Sequence, residues 1–131
     1  MDAKLMQGIK KAIRKDIEGL ATPNDLFGTT DLGFKRFEVL YCAGFLPKCT
    51  ENVTVVLVAV KHKSVGGFNV SVFEVRIRDG EVINAMYDGR ACVDFNNETV
   101  LNHNVGYGSF STTHADCFLR RMLQAQKIPV L

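Results

Sequence analysis

The chain predicts an α+β fold, an antiparallel sheet of about five to six strands flanked by an N-terminal and a C-terminal helix. Three features carry this expectation. Apolar residues recur at helical spacing near both ends, a β-branched run occupies Val53 to Val60, and two Asp-Gly pairs, Asp79-Gly80 and Asp88-Gly89, sit between strand-like stretches.

From about Asp2 to Leu20, Leu5, Met6, Ile9, Ala12, Ile13, Ile17 and Leu20 fall in one arc at 100° per residue, with Lys4, Lys10, Lys11, Arg14 and Lys15 in the other. Asp2 suits the N-cap and Gly19 the C-terminal end. Asp16 is the exception, a carboxylate inside the apolar arc. It sits either at the edge of the buried stripe or as a polar anchor to another element, because a buried carboxylate needs compensating donors. The basic face is the ordinary solvated side of a core helix, although basic amphipathic helices also bind membranes or phosphates.

Ala21 to Gly33 is rich in turn residues and reads as a long connection, a candidate contact loop. A strand is expected from Phe34 to Cys42, with Phe37, Val39 and Tyr41 on one face, and a second connection from Gly44 to Thr50. Val53 to Val60 reads as a central strand covered on both faces. Lys61 to Gly67 reads as a basic turn. The Gly66-Gly67 pair lacks the pattern and following helix of a phosphate loop, so a hairpin connection is expected there.

Asp-Gly is a strong hairpin signal because Gly takes positive φ freely and Asp tolerates it. If both pairs are complete two-residue turns, the chain from Phe68 to Phe95 is a three-stranded meander. Ile77 then faces Val82, Val75 faces Asn84 and Phe73 faces Met86, all on one side that is almost wholly apolar. The opposite side carries Glu74, Arg76, Ile83, Ala85, Tyr87, Arg90, Cys92 and Asp94. After a polar turn at Asn96-Asn97-Glu98, a short strand is expected from Thr99 to Val105. Thr112 or Thr113 should then cap a second helix whose buried stripe is Ala115, Phe118, Leu119, Met122, Leu123 and Ala125, with Arg120, Arg121 and Lys127 outside and Pro129 ending it.

Length and composition bound the rest. The 131 residues are 47% hydrophobic and 23% charged with net charge +2, which fits one globular domain over 1–131 and gives no reason of its own to expect nucleic acid, though it leaves nucleic acid open. No apolar run approaches the ~20 residues that span a bilayer, and no signal segment is evident, so a cytoplasmic protein that does not engage membrane is expected. Cys42, Cys49, Cys92 and Cys117 lack paired spacing and read as free thiols. The Asn-x-Ser/Thr triplets at Asn52, Asn69 and Asn97 are taken as chance. His62, His103 and His114 are too dispersed to suggest a metal site, and no cofactor is implied.

Two sets of side chains could carry chemistry. His103, Ser109, Ser111, Thr112, Thr113, His114, Asp116 and Cys117 form the densest reactive cluster, but capping and a surface His114 explain them more simply, and Cys117 beside Phe118 is expected to point into the core. The second set is the polar sheet face: Glu74, Arg76, Tyr87, Arg90 and Asp94, extended by Tyr107 and by Arg120 on the second helix. Arg and Tyr are enriched where proteins meet, and Arg forks also hold phosphate or carboxylate.

The segment Tyr107-Gly-Ser-Phe-Ser-Thr-Thr-His114, followed by an amphipathic helix, resembles the C-terminal end of small uncharacterised bacteriophage accessory proteins. The resemblance implies a phage or mobile-element origin, in which such proteins commonly inhibit a host machine or a defence system. Three expectations follow from the residues and the resemblance. The first is a non-enzymatic binding protein, anti-CRISPR-like or otherwise anti-defence, that engages a host protein or defence complex, with a homo-oligomer possible. The second is capture of a nucleotide signal through Arg76, Arg90 or Arg120 with Tyr87 or Tyr107. The third is a small hydrolase using Cys117 or Ser109 with His114 or His103.

Overall fold

Helical spacing in the first segment and β-branched alternation in the middle of the chain set the element order in the computed structural model, which describes residues 3–20, 37–45, 53–65, 67–105 and 112–126. Helix α1 spans Ala3–Leu20. The strands are β1 (Glu38–Phe45), β2 (Val53–Val65), β3 (Phe68–Arg78), β4 (Glu81–Asp94) and β5 (Thr99–His103), and helix α2 spans Thr112–Ala125. All strand pairings are antiparallel, and spatial order equals chain order, β1-β2-β3-β4-β5. The α+β fold with a helix at each end of a five-stranded sheet is therefore as the sequence predicts.

The two helices cover opposite faces. Strand side chains alternate sides, so Val56, Val58 and Val60 of β2 join Phe73, Val75 and Ile77 of β3 beneath Ile9, Ile13 and Ile17 of α1. Leu57 and Ala59 face the other way and join Val70, Val72, Ala91 and Val93 beneath Ala115, Phe118, Leu119, Met122 and Leu123 of α2. This double burial explains the unbroken apolar run in β2, whose residues Val56 to Val60 are all buried. Each fully buried Val, Leu or Ile side chain contributes roughly 1.5–3 kcal/mol. Among the side chains described, the expected helical stripes hold with one change, Ala125, which is exposed at the last turn of α2; the Leu20 side chain lies outside them.

Side chains also tie the helices to β1. The Arg14 guanidinium lies 5.2 Å from the Phe37 ring centre, the Tyr41 and Phe118 rings are 5.5 Å apart, and Gln126 Nε2 donates to the Leu40 carbonyl at 2.9 Å. A register shift between Val39 and Tyr41 turns these two residues to opposite faces. Val39 therefore packs in the α1 core and Tyr41 in the α2 core, correcting the expectation that Phe37, Val39 and Tyr41 share a side. The expected basic turn is also displaced, since Lys61 to Val65 continue β2 and Val65 pairs with Phe68.

The first Asp-Gly turn is as expected and the second is not. Asp79 and Gly80 take φ of 51° and 79°, the paired positive angles of a two-residue hairpin loop, and Ile77 faces Val82. Asp88 and Gly89 instead lie inside β4, which runs unbroken for 14 residues. Both are buried, and the register shifts between Val72 and Phe73, where they form a bulge. Gly89 has φ of 133°, and a Cβ there would sit 2.4 Å from the Asn104 carbonyl oxygen. The glycine is needed because the chain after β5 passes over this point. The return strand expected after Asp88-Gly89 is thus the second half of β4 itself, and β4 reverses only at 95–98.

A second shift, between Arg76 and Ile77, moves the remaining pairs by one. Val75 faces Ala85 and Phe73 faces Tyr87, in place of Asn84 and Met86. Ala85 and Tyr87 therefore join the α1 core, while Met86 lies on the opposite side, 40% exposed.

The polar turn after β4 is organised by Asp94. Its Oδ1 accepts from the backbone N–H groups of Asn96 and Asn97 at 3.0 and 3.2 Å, and its Oδ2 accepts from Asn97 Nδ2 at 2.7 Å. Helix α2 begins at Thr112, so Thr113 lies within it. Its expected successors, Lys127 and Pro129, and the connection at 21–33 lie outside the described residues. No described helix is long and apolar enough to cross a membrane.

Candidate interaction surface

The polar residues expected on one sheet face are distributed over several surroundings. Arg76 is exposed, opposite Val55 and Asn84. Glu74, on the same pleat side and opposite Leu57 and Met86, is buried at 3% exposure. Tyr87 lies on the α1 side, where its ring meets Phe73 edge-on with centroids 5.9 Å apart. Arg90 faces Ser71, on the opposite pleat side from Arg76, and its guanidinium stacks 4.0 Å from the Phe68 ring centre. Asp94 is occupied in its turn, and hydrogen bonds from Asn97 hold its carboxyl below the usual range. Arg120 is exposed on α2 and pairs with Asp116 at 2.9 Å. Tyr107 lies outside the described residues. The single composite surface of the sequence reading is therefore corrected. The two bulges and α1 separate its members.

The α2 side of the sheet does keep part of that surface. The helix covers the half of the sheet that holds Ala59, Val72 and Ala91, while Arg76 and Met86, diagonal neighbours across β3 and β4, stay exposed. On β5, Leu101 is 62% exposed.

A second surface escaped the sequence reading. Among the described residues, β4 gains its outer strand neighbour only at Ala91, where β5 begins to pair. Helix α1 lies along the preceding stretch. A groove of about 910 Å³ runs between them, with Leu5, Ala12, Val82 and Ile83 among its apolar lining and Lys11, Lys15, Asp79 and Glu81 among its charges. Ile83 is the residue displaced by the bulge and is 49% exposed. The sequence signal was there, in Lys4, Lys11 and Lys15, which fall on one stripe of α1. What the stripe would face could not be read.

Two members of the reactive cluster, His103 and Asp116, are tied to other groups of the chain. His103 Nδ1 accepts the Val105 N–H at 3.3 Å, and Nε2 lies 3.9 Å from Asp116 Oδ1. A general base needs a ring nitrogen free to take a proton; Nδ1 is occupied by the Val105 N–H, while Nε2 is beyond hydrogen-bond distance of the Asp116 carboxylate. Cys117 is exposed, contrary to the expected core position, and His114 is exposed as expected. Neither residue lines the groove beside α1. Ser109 and Ser111 lie outside the described residues. Burial raises the Cys42 thiol pKa, which disfavours its thiolate. Among the described residues no group of His, Cys, Asp and Glu is placed to hold a metal ion. Comparison with protein-family models, curated proteins and solved structures yields no match to the chain.

Proposed function

We propose that this chain is a non-enzymatic binding protein, encoded by a phage or mobile element, that occupies and inhibits a host or defence-system factor. The observation that carries the reading is the open end of the α2-side sheet face, where Arg76 and Met86 stand exposed beside each other on paired strands. Arg and Met are enriched at protein interfaces, and a pleated sheet holds them at fixed spacing with little ordering left to do on contact. The Val105 N–H occupies His103 Nδ1, which leaves the hydrolase reading one ring nitrogen of that residue to use. Stacking of Arg90 on Phe68 and of Tyr87 on Phe73 within the fold leaves the nucleotide reading fewer groups to use.

The test is affinity capture on tagged chain from extract of a bacterial host, run beside an Arg76→Glu, Met86→Glu double variant. A host protein retained by the wild type and lost by the folded variant supports the reading. Equal retention by both would remove this surface from the contact.

A further inference from the structure

We propose that the groove between α1 and the open half of β4 is a strand-addition site, which takes an extended acidic segment of a partner protein as a further strand alongside Val82 to Ala85. Backbone direction gives the first argument. In an antiparallel pair, alternate residues turn their N–H and C=O toward the neighbouring strand and away from it. Tyr87 turns its N–H away from β3, to Asp16 Oδ2. Pairing with β3 is regular from Tyr87 back to Ala85, so Ala85 presents its N–H and C=O outward as well. Val82 does the same, because it follows Glu81, which closes the two-residue hairpin with Arg78. Among the described residues no strand pairs with β4 along this stretch. Asp16 closes its far end at Tyr87, so the edge open to an incoming strand runs from Glu81 to Ala85.

Charge gives the second argument, and with it the occupant. Helix α1 packs on the sheet through Ile9, Ile13 and Ile17, and its flank carrying Lys4, Lys11 and Lys15 borders the groove beside this edge. Gly8 lies at Val82 and Asp16 at Tyr87, which sets Lys11 level with Ile83 in the middle of the groove and Lys15 one turn further on. Both lysines are exposed and make no ion pair among the described residues. The Asp16 carboxylate next to them is committed to the Tyr87 N–H. Asp79 and Glu81 stand at the hairpin end, which leaves the acidic side chains of a ligand to the middle and far parts of the groove. A strand added here directs every second side chain toward α1, so Asp or Glu at alternate positions meets Lys11 and Lys15. The intervening residues extend the sheet beside Ile83, 49% exposed, where β-branched side chains pack well. Backbone pairing supplies affinity, and the lysine flank selects acidic sequence. The inference stands apart from the Arg76 and Met86 surface and holds whether or not that surface carries a contact.

Fluorescence anisotropy with the labelled peptide Thr-Glu-Val-Glu-Val-Glu-Val-Thr tests this. The wild type should bind it saturably, and more weakly as salt is added. The same peptide with Lys in place of Glu should bind about tenfold or more less tightly. N-methylation of two successive central amides, which spoils pairing from either edge of the peptide, should abolish binding. Lys11→Glu with Lys15→Glu should reverse the preference and favour the Lys peptide, a reversal that also shows the variant to be folded. In amide spectra of the complex, the Ala85 N–H should shift and exchange more slowly. No saturable binding up to near-millimolar chain, equal affinity for the Glu and Lys peptides, binding unaltered by N-methylation, or an unmoved Ala85 amide would each overturn the proposal. So would tighter binding of a single-stranded oligothymidylate than of the Glu peptide, which would mark the lysine flank as a phosphate site instead.

Discussion

Asp16 Oδ2 accepts the backbone N–H of Tyr87 at 2.8 Å, joining the first helix to a strand 71 residues later. Tyr87 lies on the stretch of β4 that has a strand neighbour on one side only among the described residues. A carboxylate reaching over from α1 takes the hydrogen-bonding position that another strand would use, one of the ways sheet edges are blunted. This accounts for a charged residue within an apolar helical arc.

Burial raises the Asp16 pKa, and the Tyr87 hydrogen bond opposes that rise. Between the ordinary carboxylate pKa and this raised value, the folded chain holds more protons than the unfolded one. Stability from Asp16 is thus greatest at low pH and declines as pH rises through that window. Asp16→Asn keeps an acceptor for Tyr87 and removes the titration, so it should flatten this slope and leave neutral-pH stability at least equal to wild type. Asp16→Ala loses the acceptor and should cost about 1–2 kcal/mol relative to Asp16→Asn. Urea unfolding at several pH values measures both.

Gly89 and Gly80 should respond very differently to alanine. At Gly80 only the positive φ opposes a side chain, since nothing lies within 4 Å of a Cβ, and Gly80→Ala should cost about 1–2 kcal/mol. At Gly89 a Cβ would overlap backbone atoms of Asn104 and Val105, which are not free to yield. Gly89→Ala should cost more than about 3 kcal/mol, by a displaced crossing or loss of the fold. Thermal unfolding of the two variants decides it, and equal losses would contradict the bulge.

The cysteines should separate by reactivity. Cys117 is exposed, whereas Cys42 is partly buried against the α1 core with its pKa raised by desolvation. Brief alkylation near neutral pH, followed by peptide mass analysis, should label Cys117 well before Cys42. Unfolding in denaturant should erase the difference between them.

Asp94 gives the opposite pH sign from Asp16. Its pKa is lowered, first by the Asn97 side-chain hydrogen bond, so its contribution is present above the ordinary carboxylate pKa and is lost as pH falls through the depressed value. Acidification, or Asp94→Ala at neutral pH, should loosen the turn between β4 and β5. Faster amide exchange at Asn96 and Asn97, with little change in the α1 core, is the expected signature.

What the amino-acid sequence determined by itself was everything that depends on near neighbours. Helical spacing placed Ile9, Ile13 and Ile17 on one stripe, β-branched continuity marked β2 as buried on both sides, and Asp79-Gly80 supplied a hairpin whose first pair is Ile77 with Val82. Only tertiary structure decided the meaning of Asp88-Gly89, because positive φ serves a turn and a bulge equally well, and the choice rests on chain from 104–105 crossing above Gly89. A strand has a period of two, so the bulge at Ile83 alone was enough to send Tyr87 into the α1 core and Met86 out, dispersing a surface that looked continuous in sequence. The groove beside α1 belongs to the same class of decision. It exists because β5 is short and leaves half of β4 to the helix, a relationship between segments far apart in the chain that no local pattern encodes.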